Sequence, residues 1–192
     1  MIDSIATSAT LQDEVTDDGA AFVQALVARD ESAWRRLFAA NYVNLVRFAR
    51  ARTGDQSLAE DLAADVFLEA IKGIRRFRYR GLPVRAWLFK IERHLIADHF
   101  SRQKRRARVS LESAVKEPAS RTEIGSVEAK SDIMSAAASL KPDQQEVILL
   151  RFIHDLTPAE VAEAMGKRVG AVHVIQHRAL AALRSRLGPR EE

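Results

Sequence analysis

The chain has 192 residues, 47% hydrophobic and 6% aromatic, with 8 Gly, 5 Pro and 0 Cys. That is core enough for one domain or two small ones and too few turn-formers for a β protein; no thiol is present for a disulfide, a zinc ribbon or a nucleophile. The formal net charge is only +4, yet residues 71–108 carry 13 basic and 2 acidic side chains while residues 1–20 carry 5 acidic and none basic, and a field that concentrated attracts a polyanion such as nucleic acid.

Residues 1–20 are acidic and aperiodic and read as a disordered tail. They lack the basic-then-apolar order of a signal peptide, and no apolar run reaches the roughly 18 residues of a membrane span. A cytoplasmic chain without membrane insertion is expected. From Phe22 a helical pattern begins. Trp34, Leu37, Phe38, Tyr42, Leu45, Val46 and Ala49 then recur at spacings of three and four, one apolar stripe on a helix ending near Thr53-Gly54. Ser57 followed by Glu60 reads as a capping box. It opens a second helix, about Ser57 to Phe77, with Leu58, Leu62, Val66, Ala70 and Ile74 at intervals of four. Gly81 and Pro83 mark a loop over Arg78 to Pro83. A third helix carries Trp87, Leu88, Ile91, Leu95 and His99 on one side and runs into the basic block Arg102 to Arg108.

Periodicity weakens between about Val109 and Lys130, where Pro118 and Gly125 sit among Ser, Thr, Glu and Ala. This reads as a linker dividing two lobes. Helical spacing returns from Ile133 to Leu140, and the run Val147, Ile148, Leu149, Leu150 and Phe152 after Pro142 predicts a buried helix. Thr157-Pro158-Ala159-Glu160 is a capping box with Pro at the first helical position, opening a short helix to Met165 that Gly166 closes. A last helix runs through Val172, Ile175, Ala179, Leu180, Leu183 and Leu187 and is stopped by Gly188-Pro189. The expected fold is all-α, as two small helical domains.

A short helix, a tight turn and a second helix make a helix-turn-helix pattern, though a plain packing hairpin shares that spacing. Its second helix shows His173, Val174, Gln176, His177 and Arg178 outward, with Lys167 and Arg168 at its entrance. Arg and Gln suit guanine and adenine edges, and the entrance cations suit phosphates. His173 and His177 stand four apart, but with no Cys in the chain and no Glu completing an H-E-x-x-H they read as surface or DNA-contacting side chains, and no metal is expected. Glu60, Asp61 and Asp65 crowd the start of the second helix. There they complement its dipole and form an exposed acidic ridge suited to docking rather than a catalytic pair. With no phosphate-cradling glycine motif and no nucleophile elbow, neither an enzyme nor a cofactor is expected. In the basic segment, Phe77 and Trp87 fall near apolar stripes and read as core, whereas Tyr79 in the Arg-rich loop can stack on an unpaired base.

These residues together resemble the bacterial sigma factors of the sigma-70 family, in the compact extracytoplasmic-function group, over about residues 20–188. Ala59 to Leu68 is similar to the region-two helix that docks on the β′ clamp helices of RNA polymerase. Phe77 to Gly81 with Arg85 to Ile91 resembles the loop and helix that capture the melted minus-ten element. Leu149 to Phe152, Thr157 to Gly166 and Gly170 to Leu183 resemble region four, which reads the minus-thirty-five element. The resemblance implies an acidic tail over 1–20, region two over 21–108, a linker over 109–130, region four over 131–188 and a tail over 189–192. It assigns polymerase binding to Asp61, Asp65, Phe67 and Leu68, and minus-ten binding to Arg76, Arg78, Tyr79, Arg80, Lys90, Arg93, Arg102 and Arg105. Minus-thirty-five binding falls to Lys167, Arg168, His173, Val174, Gln176, His177 and Arg178. Ala64 stands at a usual Gln of the polymerase contact and Arg168 at a usual capping Ser, and His173 and Val174 stand where the family often has a basic residue and Ser, so promoter sequence does not carry over. The implied partners are core RNA polymerase, through the β′ clamp helices and β flap, promoter DNA, and often an anti-sigma protein. A self-sufficient helix-turn-helix regulator and a nonspecific single-strand binder are the alternatives.

Overall fold

The computed structural model describes residues 19–111 and 140–187. The acidic tail up to residue 18, the expected linker beyond Leu111, the helical spacing from Ile133 to residue 139, the Gly188-Pro189 stop and the tail over 189–192 lie outside the described residues. Every regular element within them is helical. The first lobe comprises α1 (Ala20–Val27), α2 (Glu31–Thr53), α3 (Gln56–Gly73) with a 3-10 turn over Ile74–Arg76, and α4 (Val84–Leu111). The second comprises α5 (Pro142–Ile148), a π turn over Leu149–Ile153, α6 (Pro158–Met165) and α7 (Val169–Leu187).

Four local outcomes differ from the sequence expectation, each for a visible reason. The pattern from Phe22 is two helices: Arg29 adopts a left-handed φ of 62°, and the Asp30 side chain accepts the Ala33 amide at 2.8 Å, restarting the chain as α2. Trp34 Nε1 then donates to the Leu26 carbonyl at 3.1 Å, tying α1 to α2. The capping box expected at Ser57 is replaced by Asp55, whose carboxylate accepts the Leu58 amide at 3.1 Å. Gly54, at φ 74°, ends α2 and turns the chain so that Asp55 arrives first. Phe152, expected in a buried run, is 46% exposed. The π turn carries it out of register while Leu149 and Leu150 stay inside. Lastly, α4 continues three residues past the expected linker start. The capping box of Thr157 and Glu160 and the left-handed cap at Gly166, φ 62°, form as expected.

Helix α4 organises the molecule. It packs against α3 and α2 of its own lobe and against α6 of the other. Its inward row is Leu88, Phe89, Glu92 and Ile96, with Trp87, Ile91 and Leu95 half-buried, so the buried face is turned by about one position from the expected stripe. One apolar cluster runs from Leu37, Phe48 and Phe67 through Phe89 to Val147, Leu150, Val161 and Val172, joining both lobes. At the seam the Phe48 and Phe89 rings lie edge-on at 5.5 Å and both contact His154 of the second lobe, at 5.8 and 5.1 Å. A smaller cluster of Leu140, Ile148, Ala179 and Leu183 fastens α5 to α7.

Glu92 is wholly buried in this helix with no hydrogen bond to either carboxyl oxygen. Burial pushes its carboxyl well above the usual range. The folded chain thus keeps a proton that the unfolded chain releases, so this residue costs stability progressively as pH rises through the ordinary carboxylate range toward the raised folded value. Glu92→Gln should therefore gain melting temperature relative to the parent as pH is raised from about 5 to about 7.5. Parallel thermal melts measure this, and a constant difference between the two proteins across that range would contradict it.

Candidate nucleic-acid interface

Three surfaces carry the residues singled out by sequence. The first is the outer face of α3. Asp55 and the helical spacing place Asp61, Asp65 and Leu68 on one exposed row, with Leu68 54% exposed. Phe67 is buried and packs inward, because the same spacing that exposes Leu68 turns its neighbour to the core. Its place on the surface passes to Phe38 of α2. Phe38, counted in the apolar stripe of the first helix, is 44% exposed; it stacks on Tyr42 at 4.8 Å and 19° and touches Phe67 at 4.8 Å. An exposed Phe38 backed by half-buried Tyr42, beside a row of carboxylates, is a mixed surface suited to a protein partner. Spacing could not reveal it, since Phe38 keeps the helical period of buried Leu37 and Leu45.

The second surface is a cleft of about 250 Å³ at the turn between α3 and α4, lined by Arg76, Phe77, Arg78, Arg80, Leu82, Pro83, Trp87, Lys90 and Glu163. The Phe77 and Trp87 rings meet at 5.0 Å and form its apolar floor. Gly73 permits this, because a Cβ there would stand 3.2 Å from Trp87 Cζ2. Arg76, Arg78 and Arg80 are exposed around the rim, and Tyr79 is 40% exposed beside them. Gly81, at φ 77°, turns the loop back toward α4. An aromatic floor with four cations at its edge suits a planar ring carrying an anionic backbone. Arg102 and Arg105 extend the basic surface along exposed α4.

Two residues expected on this surface are already engaged. Lys90 Nζ lies 2.8 Å from Glu163 Oε1 of the second lobe. Arg93 is ion-paired with Glu146 and donates to the Ala164 carbonyl at 3.3 Å. A third pair was not foreseen: Arg85 grips Glu160 in a fork, Nε to Oε1 at 2.6 Å and Nη2 to Oε2 at 3.0 Å. Arg85 and Glu160 lie 75 residues apart, Lys90 and Glu163 lie 73 apart, and Arg93 stands 71 residues from Ala164 and 53 from Glu146, so no local pattern announces them. Burial drives the Glu160 carboxyl up, but the Arg85 hydrogen bond and the Thr157 amide outweigh it and leave the group below its usual value. For Glu146 the balance is reversed: burial raises it, and Arg93 and Arg52 only partly offset that.

The third surface is α7. Val172, Ala179 and Leu183 face inward, and His173, Val174, His177 and Arg178 are exposed. Gln176 is half-buried with its Oε1 enclosed and unbonded, so it stands less free than its neighbours. Arg168 is exposed at the helix start, while Lys167 pairs with Asp143 at 3.1 Å. Among the described residues no cluster of His, Asp and Glu is arranged to hold a metal ion, and no helix is long and apolar enough to cross a membrane.

Two family models match the chain: Sigma-70 region 2 over residues 37–106 and Sigma-70, region 4 over residues 136–185. The ECF RNA polymerase sigma factor BldN of Streptomyces coelicolor is 33% identical over 84% of this chain, which spans 62% of BldN's length. The ECF RNA polymerase sigma factor SigD of Mycobacterium tuberculosis is 33% identical over 95% of this chain and 89% of SigD. Among solved structures, CnrH in complex with the cytosolic domain of CnrY has a TM-score of 0.67 at 25% identity, covering 91% of this chain and 100% of that one. RpoE in complex with the anti-sigma factor NepR from Bartonella quintana shares the fold at a TM-score of 0.64 and 23% identity, over 82% of this chain and 98% of that one.

Removing the Arg85 fork should leave a buried carboxylate with only its helix-capping contacts. Arg85→Met is expected to lower unfolding free energy by about 2 kcal/mol at neutral pH. Glu160 contributes stability above its unfolded value and loses it as pH falls through the lowered folded value, so parent and variant should converge in acid. Denaturant titrations at pH about 7 and about 3.5 check both statements.

Proposed function

We propose, for a chain that belongs to the sigma-70 family of RNA polymerase sigma factors, in its extracytoplasmic-function group, that it binds core RNA polymerase and directs promoter-specific transcription initiation in the cytoplasm. It performs no reaction of its own; polymerase supplies the chemistry. The exposed row of Asp61, Asp65 and Leu68, joined by Phe38, is the docking face for the β′ clamp helices. The region-four lobe docks toward the β flap. An anti-sigma protein is a further partner, by likeness to RpoE with NepR.

The cleft carries this reading. Within the region-two match, a Phe77-Trp87 floor and a cationic rim occupy one concave site, and exposed Tyr79 lies in the loop outside its lining. An unstacked minus-ten base enters it, stacking on the rings while Arg76, Arg78, Arg80, Arg102 and Arg105 hold phosphates. Lys90 and Arg93 join them when released from the second lobe. Extruding a base costs a few kcal/mol, which stacking and phosphate contacts offset without ATP. Helix α7 enters the major groove of the minus-thirty-five element. Arg168 and Lys167 meet phosphates there, and His173, Val174, Gln176, His177 and Arg178 face base edges. A self-sufficient regulator would have no use for the acidic and aromatic face of α3 or for the cleft.

Purified core polymerase, a promoter library and this chain test the proposal: start-site choice should depend on adding the chain, and unchanged transcription would overturn it. The double variant Asp61→Lys, Asp65→Lys should fold normally yet fail to assemble holoenzyme in gel filtration. Full assembly would refute the docking face. Arg178→Ala should lose about 1–3 kcal/mol of preference at one upstream base position and leave the others unchanged. Competition across a panel of upstream variants measures this.

A further inference from the structure

The base-edge face of α7 carries one aliphatic side chain among polar ones. Val172 and half-buried Ile175 pack into the core, but Val174 between them is 50% exposed. Helical spacing puts it on one face with Gly170 and Ala171 a turn earlier and with His177 and Arg178 a turn later, all of them exposed. The exposed cations Arg168 and Arg178 bracket it along the chain, so Val174 sits inside a surface suited to an anionic partner rather than in an apolar patch. It contributes little to the fold, being half in water and β-branched on a helix. Nothing on its own face holds so short a side chain away from a groove floor. A Cβ at Gly170 would meet no atom within 4 Å, and Ala171 carries only a methyl group. An isopropyl group has neither donor nor acceptor, so against a polar base edge it would strip water and return no hydrogen bond. The apolar group that a base pair does show in the major groove is the C5-methyl of thymine; 5-methylcytosine carries the same methyl on the same carbon.

We propose that Val174 makes upstream recognition depend on a C5-methyl group: its isopropyl packs on the methyl of a 5-methylpyrimidine in the minus-thirty-five element, so that at one position the chain prefers thymine to uracil and 5-methylcytosine to cytosine. This deepens the reading of α7 as the major-groove helix and rests on it. Arg168 fixes the helix on a phosphate, Arg178 takes a polar base edge one turn beyond, and Val174 reads shape between them by excluding water. A cytosine at that position becomes a better ligand when it is methylated, which couples promoter choice to the methylation state of the DNA without any change in the protein.

The test changes the DNA first, so its main arm does not depend on a variant folding. Holoenzyme assembled from core polymerase and the full chain is bound to a fluorescein-labelled duplex carrying the upstream element that the promoter library recovers. Unlabelled competitor duplexes then replace each thymine of that element in turn by deoxyuridine, which lacks only the methyl group. At one position the replacement should cost about fourfold in affinity, the worth of one buried methyl group. Holoenzyme with Val174→Ser should bind the thymine and uracil duplexes equally there. At the same position 5-methylcytosine should exceed cytosine by a similar factor with the parent chain, and the two should be equal with Val174→Ser. An element without thymine, silence at every thymine, or a uracil penalty that survives Val174→Ser would overturn the methyl contact. A thymine gain that 5-methylcytosine does not reproduce would overturn it too. Arg178→Ala separates two kinds of failure. If that variant loses preference at its own position while every uracil replacement is silent, α7 reads the groove and only the role of Val174 falls; if it is silent as well, the placement of α7 in the groove falls.

Discussion

The grip of Arg85 on Glu160 is the constraint around which the two lobes are arranged. A carboxylate with 2% of its side chain exposed is costly to bury, and this one is tolerated because it serves two structures at once. It accepts the Thr157 amide at 2.6 Å to start α6, and it accepts the guanidinium fork of a residue 75 positions earlier. The first bond is local and would form in any copy of the motif. The second orients α6 against α4, and with it the whole helix-turn-helix against the first lobe. The apolar seam beneath adds the burial, but burial is non-directional, and the fork gives the packing its register.

A division of charge follows from the same helix. The acidic row on α3 and the basic surface that begins at the end of α3 and runs along α4 are close in sequence, and the 3-10 turn at Ile74–Arg76 and the loop to Pro83 redirect the chain between them. A carboxylate row repels a polyanion, and a cationic rim attracts one. Buried Glu92 sits outside this scheme: it meets no ion partner, and its cost is borne by the packing around it.

Much of the local architecture was legible beforehand. The capping box at Thr157, the glycine stops at Gly54 and Gly166, and the inward row of Val172, Ala179 and Leu183 each depend on residues within one or two turns of each other, and they appear where the spacing put them. The misplacements were also local, and each is a competition between neighbours. Asp30 and Asp55 outbid less suitable caps, and a single extra residue in the π turn moved Phe152 from core to surface.

By itself the sequence determined the helical class, the two family regions and the concentration of positive charge between Ile71 and Arg108, because periodicity, motif order and composition are properties of neighbouring residues. Tertiary structure alone decided that Phe38 and not Phe67 is exposed, that Phe77 and Trp87 floor a cleft, and that Arg85, Lys90 and Arg93 already hold carboxylates. The ion pairs depend on which helix faces meet across 53 to 75 residues of chain, and a pairing at that separation leaves no mark in the spacing of either partner.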